Sequence, residues 1–396
     1  MSEEKIYLTG SGIINPAGNN IEEFWNNLLK GKSFIESLDI KDDTPVKVGA
    51  RVKSFNPCAS ISKRIVVKTD IFTHYFLAAI SEAMKKSGLV VNEENNGEIG
   101  IFFGNNSGGW NICERGFEEL FQKDYSLVNP WQATAWFPTA GQGYASIIYG
   151  IKGYSKTFVA DRVSGAAAFY HAIQSMECKR NRKVLIGGSE APLTGLGTIC
   201  YNENGSISQK LSEYVCRPFS KKSEGIVLGE GGAAVVLETS MEEKNFVEVA
   251  GYATNYVPSD QVNGVVECMK YALRKARVTV EEIDLIIPEG NGDWVSDSIE
   301  KKAILELFKE YSNKIPILLS KFYFAHQYGA ALIADIICAS MAIKSNEIPK
   351  YPYISDIEEY FTDKPNKKIN NVLINSRTSS GINYTFILKR IEKRSK

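Results

Sequence analysis

Two patterns in this sequence carry side chains or backbone capable of chemistry: seven scattered cysteines and a glycine-bearing strand end. The cysteines stand at 58, 113, 178, 200, 216, 268 and 338. A reactive thiolate needs a cation, a base or a helix N-terminus beside it. A structural metal needs Cys and His ligands clustered at short spacing. None of the seven forms a C-x-x-C or a Cys/His cluster, so the sequence predicts no metal and the reduced thiols of a cytoplasmic protein. The second pattern, Thr9-Gly10-Ser11-Gly12, follows a strand and resembles half of a dinucleotide-binding turn. Asn15 stands at the third glycine position and no helix starts at once, so a nicotinamide site is rejected.

The elements that must position any site are legible in outline. Lysine plus arginine and aspartate plus glutamate both number 46, which gives no basic bias toward nucleic acid. No apolar run approaches the roughly 20 residues of a membrane span. MSEEKIYLTG at the start is acidic and then strand-like, unlike a signal peptide. Asn20-Ile-Glu-Glu23 opens a helix with a capping-box pattern, and Asp70–Ser87 has helical apolar spacing with Gly88 as its stop. Ile99–Gly104, Thr157–Ala160 and Lys183–Gly187 are short buried strands with helices between them, which predicts a largely parallel sheet.

The second half echoes the first. Phe246–Asn255 matches Ile6–Asn15, Ile283–Gly292 matches Ile99–Gly108, Pro316–Ala331 matches Thr157–Ala168, and Val372–Ser376 matches Val184–Gly188. Four echoes in the same order predict a duplicated α/β unit, with halves 1–240 and 241–396 parted at the polar run TSMEEKN.

Several motifs then coincide. Arg217-Pro-Phe219, Glu224-Gly225 and Leu228-Gly-Glu-Gly231 resemble a ketosynthase R-P-F-D…D-G-F-x-x-G-E-G segment. Gly187-Gly-Ser-Glu-Ala191 resembles the G-G-x-E-A turn, and Lys321, His326 and Gly329-Ala-Ala331 resemble K-x-x-x-G-H-x-x-G-A-A. Asn375-Ser376 with Gly381 and Asn383 resembles an eroded N-S-F-G-F-G-G-x-N loop. The resemblance spans Ile6 to Leu388 and implies the thiolase-like fold, α/β with two duplicated halves in α-β-α-β-α layers.

The departures from that family matter most. Its enzymes carry a nucleophilic Cys in A-C-x-S-G, where a helix N-terminus lowers the thiol pKa and backbone N–H groups form an oxyanion hole. Here the segment reads Ala160-Asp161-Arg162-Val163-Ser164-Gly165, and Arg162 takes the Cys position. A guanidinium stays protonated at accessible pH and is no nucleophile. Counting back from Asp297 and Glu300 puts Glu289 where the first catalytic His belongs. Lys321 and His326 remain, so the site is read as vestigial and no residue of this chain as catalytic. Asp161 is expected to cap the following helix, for about 1 kcal/mol. Arg162 is expected to pair with Glu289 or Asp161 and plug the old pocket, since a buried unpaired charge would cost about 3–5 kcal/mol.

Ala135-Trp136-Phe137 resembles the A-W-F motif of chain-length factors, the ketosynthase-like subunits of type II polyketide synthases. That resemblance implies an obligate heterodimer with an active ketosynthase, contacts at Ala135, Trp136 and Phe137, and a sheet joined through Lys156–Ala160. Chain-length factors usually carry Gln at the Cys position, so a role that rests on that Gln is in doubt here. The implied function is to close the far end of a polyketide tunnel, with Ile112, Cys113, Gly116 and Phe117 facing it. The resemblance implies no cofactor of its own; the phosphopantetheine arm of an acyl carrier protein would enter the partner. Two other readings stay open: a subunit of an aryl polyene or other reduced polyketide system, and an atypical active synthase.

Overall fold

The computed structural model describes residues 4–40, 44–239, 247–357, 359–365 and 367–391. The expected boundary at 240/241 lies outside the described residues. Nine strands form the main sheet: β1 Tyr7–Ile14, β2 Ile99–Gly104, β3 Lys156–Phe158, β4 Lys183–Glu190, β5 Gly231–Glu238, β6 Val247–Tyr256, β7 Leu285–Ile287, β8 Asn371–Arg377 and β9 Ile382–Arg390. Among the described residues nine helices have seven residues or more: α1 Ile21–Leu29, α2 Ile71–Ser87, α3 Trp110–Glu118, α4 Ala140–Tyr149, α5 Ser164–Glu177, α6 Gly195–Tyr201, α7 Gln261–Ala276, α8 Trp294–Phe308 and α9 Ala331–Ser345.

The strand order is β3-β2-β4-β5-β1-β6-β9-β8-β7. Ile317 extends it by a parallel bridge to Ile286 of β7. From the centre outward, each half repeats one order. β1-β5-β4-β2-β3 answers β6-β9-β8-β7 and the 316–318 segment. The halves meet where Tyr7 and Leu8 pair with Glu248 and Val247. The duplication read from four sequence echoes is thus a duplication of sheet order.

The expectation of a largely parallel sheet is corrected. Only β2–β3, β2–β4 and β7–β8 run parallel; the other five neighbours are antiparallel. Each half closes with a strand that returns without a crossover helix beside the sheet. In the second half that return is the short turn at Thr378–Gly381, where Gly381 adopts φ +96.

Alternation along the strands builds the layers. Ile99, Ile101, Phe103, Leu185, Ala234 and Val236 face α2 and α4 on the outside. Phe102, Val184, Ile186, Ala233, Val235 and Leu237 face inward, in one core with α5 and α9. Helix α9 touches β4 and β5 of one half and β8 and β9 of the other, with α5 at its side. Helices α7 and α8 cover the far face. A helix buried between the two halves of the sheet is apolar all round. Tyr328–Ser345 meets the length and hydropathy of a membrane span, yet 83% of it is buried within the protein.

Local rules hold at the ends of the elements. Asn20 accepts the Glu23 N–H at 2.9 Å to start α1, and Gly88 closes α2 at φ +75. The rejected dinucleotide glycines serve close packing instead. A Cβ on Gly10 or Gly12 would sit 2.2 or 2.1 Å from carbonyls of α2. Gly251 of β6 lies the same way against α7, 2.3 Å from the Ala272 carbonyl.

One contact ties the halves together at the ends of β2 and β4. A Cβ on Gly188 would lie 1.8 Å from the Gly329 carbonyl, and one on Gly165 2.5 Å from it. A Cβ on Gly329 would meet the Gly104 carbonyl at 2.6 Å, and one on Gly104 the Gly165 nitrogen at 2.5 Å. Backbone faces backbone, so no rotamer relieves a clash. Gly188→Ala is expected to lower unfolding free energy by about 1–3 kcal/mol. Gly143→Ala, inside α4 with open space at its Cβ, is expected to raise it by up to about 1 kcal/mol. Denaturant melts of the two variants read the contrast.

Candidate functional site

The elbow between β3 and α5 keeps the geometry of a strand entering a helix. Asp161 turns the chain at φ +52. The Ser164 hydroxyl donates to the Asp161 carbonyl at 2.6 Å and accepts the Ala160 N–H at 2.9 Å. The expected cap by Asp161 is corrected: the helix starts at Ser164, Val163 holds the cap position, and no side chain caps it. Asp161 lies two residues too early, and its carboxylate is half-exposed instead.

Arg162 is buried, 8% exposed. Its Nε lies 3.4 Å from Asp161 Oδ2, an ion pair rather than a hydrogen bond, and Nε and Nη1 have no hydrogen-bond partner among the described residues. Burial works against its charge, and the surrounding Asp161, Glu289 and Asp293 carboxylates, with Tyr328, outweigh that. Of the two partners expected, Asp161 makes the ion pair.

Glu289 makes a different one. Its Oε1 is 2.6 Å from His326 Nε2, with both side chains at most 2% exposed. His326 Nδ1 accepts the Tyr328 N–H at 3.0 Å, which leaves the ring proton on Nε2, donated to Glu289. Burial alone would raise the Glu289 pKa, but Lys321, His326 and Arg162 hold it down to about 2. Burial pulls His326 below its ordinary value despite Glu289, with Lys321 and Arg162 adding to the effect, so the ring is neutral at pH 7. Lys321 bonds Asp335 Oδ2 at 2.5 Å. Asp335 was not read from the sequence, although one acid inside the apolar run A-L-I-A-D-I-I-C-A is the mark of a paired buried charge.

Buried carboxylates hold the surrounding loops. Glu300 accepts the Glu289 and Gly290 N–H groups, and Asp297 those of Asn291, Gly292 and Phe219. Glu190 accepts the Asn106, Ser107 and Gly329 N–H groups, coupling the loop after β2 to the segment before α9. The motif spacing led to these acids without revealing that they act as backbone acceptors.

No thiol is poised here. Cys216 is buried and donates to the Lys321 carbonyl at 3.5 Å. Burial raises its pKa and that of Cys338, and pushes Cys268 up to about 12.

The tunnel and interface candidates divide. On α3, Cys113 and Gly116 are buried, Ile112 is half-buried and Phe117 is exposed beside Phe121. The space over Gly116 is filled: a Cβ there would meet Gln132 Oε1 at 1.6 Å. Gly116 therefore does not face an open tunnel in this protomer. Trp136 and Phe137 are exposed, but Ala135 is buried within the protomer. Its carbonyl lies 3.0 Å from a Cβ built on Gly109, which turns it inward.

A duplicated, layered α/β body with an elbow at the seam defines the thiolase-like class. Residues 3–243 match the beta-ketoacyl synthase N-terminal domain and 244–354 the C-terminal domain. The chain belongs to the beta-ketoacyl synthase family. It is 27% identical, over 99% of this chain and 100% of the relative, to the 3-oxoacyl-[acyl-carrier-protein] synthase 2 of Coxiella burnetii. It is 28% identical, over 87% of each chain, to the tetracenomycin polyketide synthase ketoacyl synthase beta subunit of Streptomyces glaucescens. The ishigamide ketosynthase/chain length factor structure superposes with a TM-score of 0.87 at 22% identity, covering 99% of this chain and 100% of that one.

The Glu289–His326 pair predicts an acid limb in the stability profile. Glu289 is about 2 folded against 4.5 unfolded, so its contribution is complete above about 4.5 and is lost as pH falls toward 2. It is worth on the order of 3 kcal/mol. His326, lowered in the fold, adds a loss in the same direction below 6.5, its ordinary pKa. Glu289→Gln is expected to be less stable at pH 7 and flatter between pH 4.5 and 2, as read by thermal melts across pH.

Proposed function

We propose that this chain is the non-condensing partner of an active ketosynthase, a chain-length factor of a type II polyketide synthase. The observation that carries the reading is the state of the old active site. Arg162 holds the elbow where a thiolate would act, and Glu289 engages the one remaining imidazole. Acylation needs a nucleophilic sulfur with a free base beside it, and this arrangement supplies neither. The scaffold that would position them is intact.

The surface supports a partner. Phe117, Phe121, Tyr125, Trp131, Trp136 and Phe137 are exposed within one stretch of the chain. Aromatic exposure on that scale marks an interaction face. Strand β3 ends the sheet next to it, paired on one side only among the described residues. In the proposed pair the ketosynthase supplies Cys and both His residues and takes up the phosphopantetheine arm of an acyl carrier protein. This chain brings no cofactor and bounds the polyketide tunnel, with Phe117 and Ile112 as its length-setting residues, in the cytoplasm. Relatives named as a polyketide synthase beta subunit and as a ketosynthase/chain length factor support this reading.

Purified alone with malonyl-loaded acyl carrier protein, the chain is expected to show no acyl adduct by intact mass spectrometry and no product. Co-expressed with its cognate active ketosynthase, it is expected to co-purify at equal stoichiometry and release polyketide. An acyl adduct on the lone chain would favour the atypical synthase and end the proposal. Product analysis of the pair separates an aromatic from a polyene pathway. In the active pair, Phe117→Ala is expected to move the product distribution toward longer chains with turnover within about twofold of the parent; an unchanged distribution would remove Phe117 from the tunnel.

A further inference from the structure

A groove of about 430 Å³ runs between the free side of β3 and the last turn of α5. Its lining is Tyr154, Lys156, Phe158, His171, Gln174, Ser175, Cys178 and Arg180, with no acidic residue among them. Three rings form its wall: the Phe158 and His171 planes stack at 4.9 Å and 4°, and Tyr154 lies beyond them. Both cations gather on Tyr154. Lys156 Nζ is 5.5 Å and the Arg180 guanidinium 4.9 Å from the centre of that one ring.

Nearby carboxylates are engaged elsewhere. Glu177, at the end of α5, pairs with Lys275 at 3.0 Å and accepts from Tyr252. Glu98 pairs with Arg182 at 3.4 Å, and Asp161 with Arg162. Neither Lys156 nor Arg180 has a carboxylate within 4 Å among the described residues. In a chain whose charges balance at 46 each, two like charges over one ring beside an open strand edge form a recognition feature. An acceptor placed between them relieves their repulsion and gains from the aromatic, partly desolvated wall.

We propose that this groove receives a carboxylate side chain from the strand that the ketosynthase partner lays along β3, and that the same cations oppose docking of a second copy of this chain. A two-fold copy added at β3 would present Lys156 and Arg180 from both sides at once. Like charges across a strand pair are destabilising, and an edge lysine is a common guard against self-pairing. One pair of residues thus contributes both the attraction to the right partner and the repulsion of the wrong one. This inference rests on the heterodimer reading for its partner and stands apart from it on self-association.

The test compares the parent with Lys156→Gln/Arg180→Gln, two exposed positions whose replacement should leave the melting temperature within about 2 °C. Affinity for the cognate ketosynthase is measured by titration at about 100 and 500 mM salt, and self-association of each chain alone by sedimentation velocity. The double variant is expected to bind the ketosynthase at least about tenfold more weakly at low salt, to lose most of the parent's salt dependence, and to self-associate at lower concentration. Equal affinity and equal self-association in parent and variant would overturn the inference. If the parent fails to bind the ketosynthase at all, the heterodimer reading falls with the carboxylate half of this proposal. The repulsive half is then decided by sedimentation alone.

Discussion

Backbone touching backbone at Gly104, Gly165, Gly188 and Gly329 fixes everything else in this molecule. Gly104 ends β2, Gly188 lies near the end of β4, Gly165 stands in the first turn of the central helix α5, and Gly329 precedes α9 of the second half. Each lets a carbonyl or an amide approach where a methyl group would collide. The elbow at Asp161–Arg162 hangs from the α5 end of this contact, and His326 and Tyr328 from the α9 end. Glu190 fastens the same junction by accepting the Gly329 N–H together with those of Asn106 and Ser107. The relative placement of Arg162 and His326 is therefore tied to glycine packing as well as to the side chains that occupy the site.

Within that frame the charges have been rearranged rather than simply deleted. Glu289 at a histidine position brings a negative charge into a pocket that already holds Lys321, and Arg162 at the thiol position adds a positive one. Asp335 compensates Lys321 directly; Glu289 takes the proton-bearing nitrogen of His326; Arg162 is left with Asp161 at ion-pair distance and two unpaired donors. A charge buried with incomplete hydrogen bonding is costly. In the proposed function that cost is offset by occupying the elbow, which would keep acyl groups out of this chain's own pocket. The imidazole, neutral and engaged, no longer has a free nitrogen to offer a substrate.

Much of this was legible in the residues, and the limits have physical causes. Strand and helix positions followed from period and capping: Asn20, Gly88 and the buried runs at 99–104 and 183–187 all act locally. The duplication was readable because each repeat must bury the same faces. Strand direction was not, since a return without a helix leaves no periodic signature and only the turn at Gly381 betrays it. Side-chain pairing was half legible. Arg162 called for a carboxylate, but proximity in sequence could not tell that the strained φ at Asp161 would bring its own side chain back while Glu289 turned to His326. The facing of Ala135 and Gly116 was not legible for one shared reason: a motif gives position along the chain, whereas the facing of a short helix depends on what packs over it, here Gln132 and Gly109. The groove at β3 carried no sequence signal, because Tyr154, Lys156, His171 and Arg180 converge only once α5 lies along the sheet.

Under the proposed function, the arginine-filled elbow and the strand edge paired on one side only are two sides of one arrangement. The strand that would have delivered a nucleophile to the elbow is also the last strand of the sheet, so whatever binds along β3 sits within one turn of Arg162. In a self-pairing enzyme each elbow would be bordered by an identical neighbour, and both pockets would need to work. Here Arg162 is buried at the elbow, Lys156 and Arg180 stand at the edge, and exposed aromatics lie nearby in the chain. On the proposed reading such a protein would gain nothing from symmetry, since its copy would bring neither a thiolate nor the carboxylates its groove lacks. On that reading the open edge at β3 and the arginine at position 162 belong together: where one pocket cannot react, the useful neighbour is one whose pocket can.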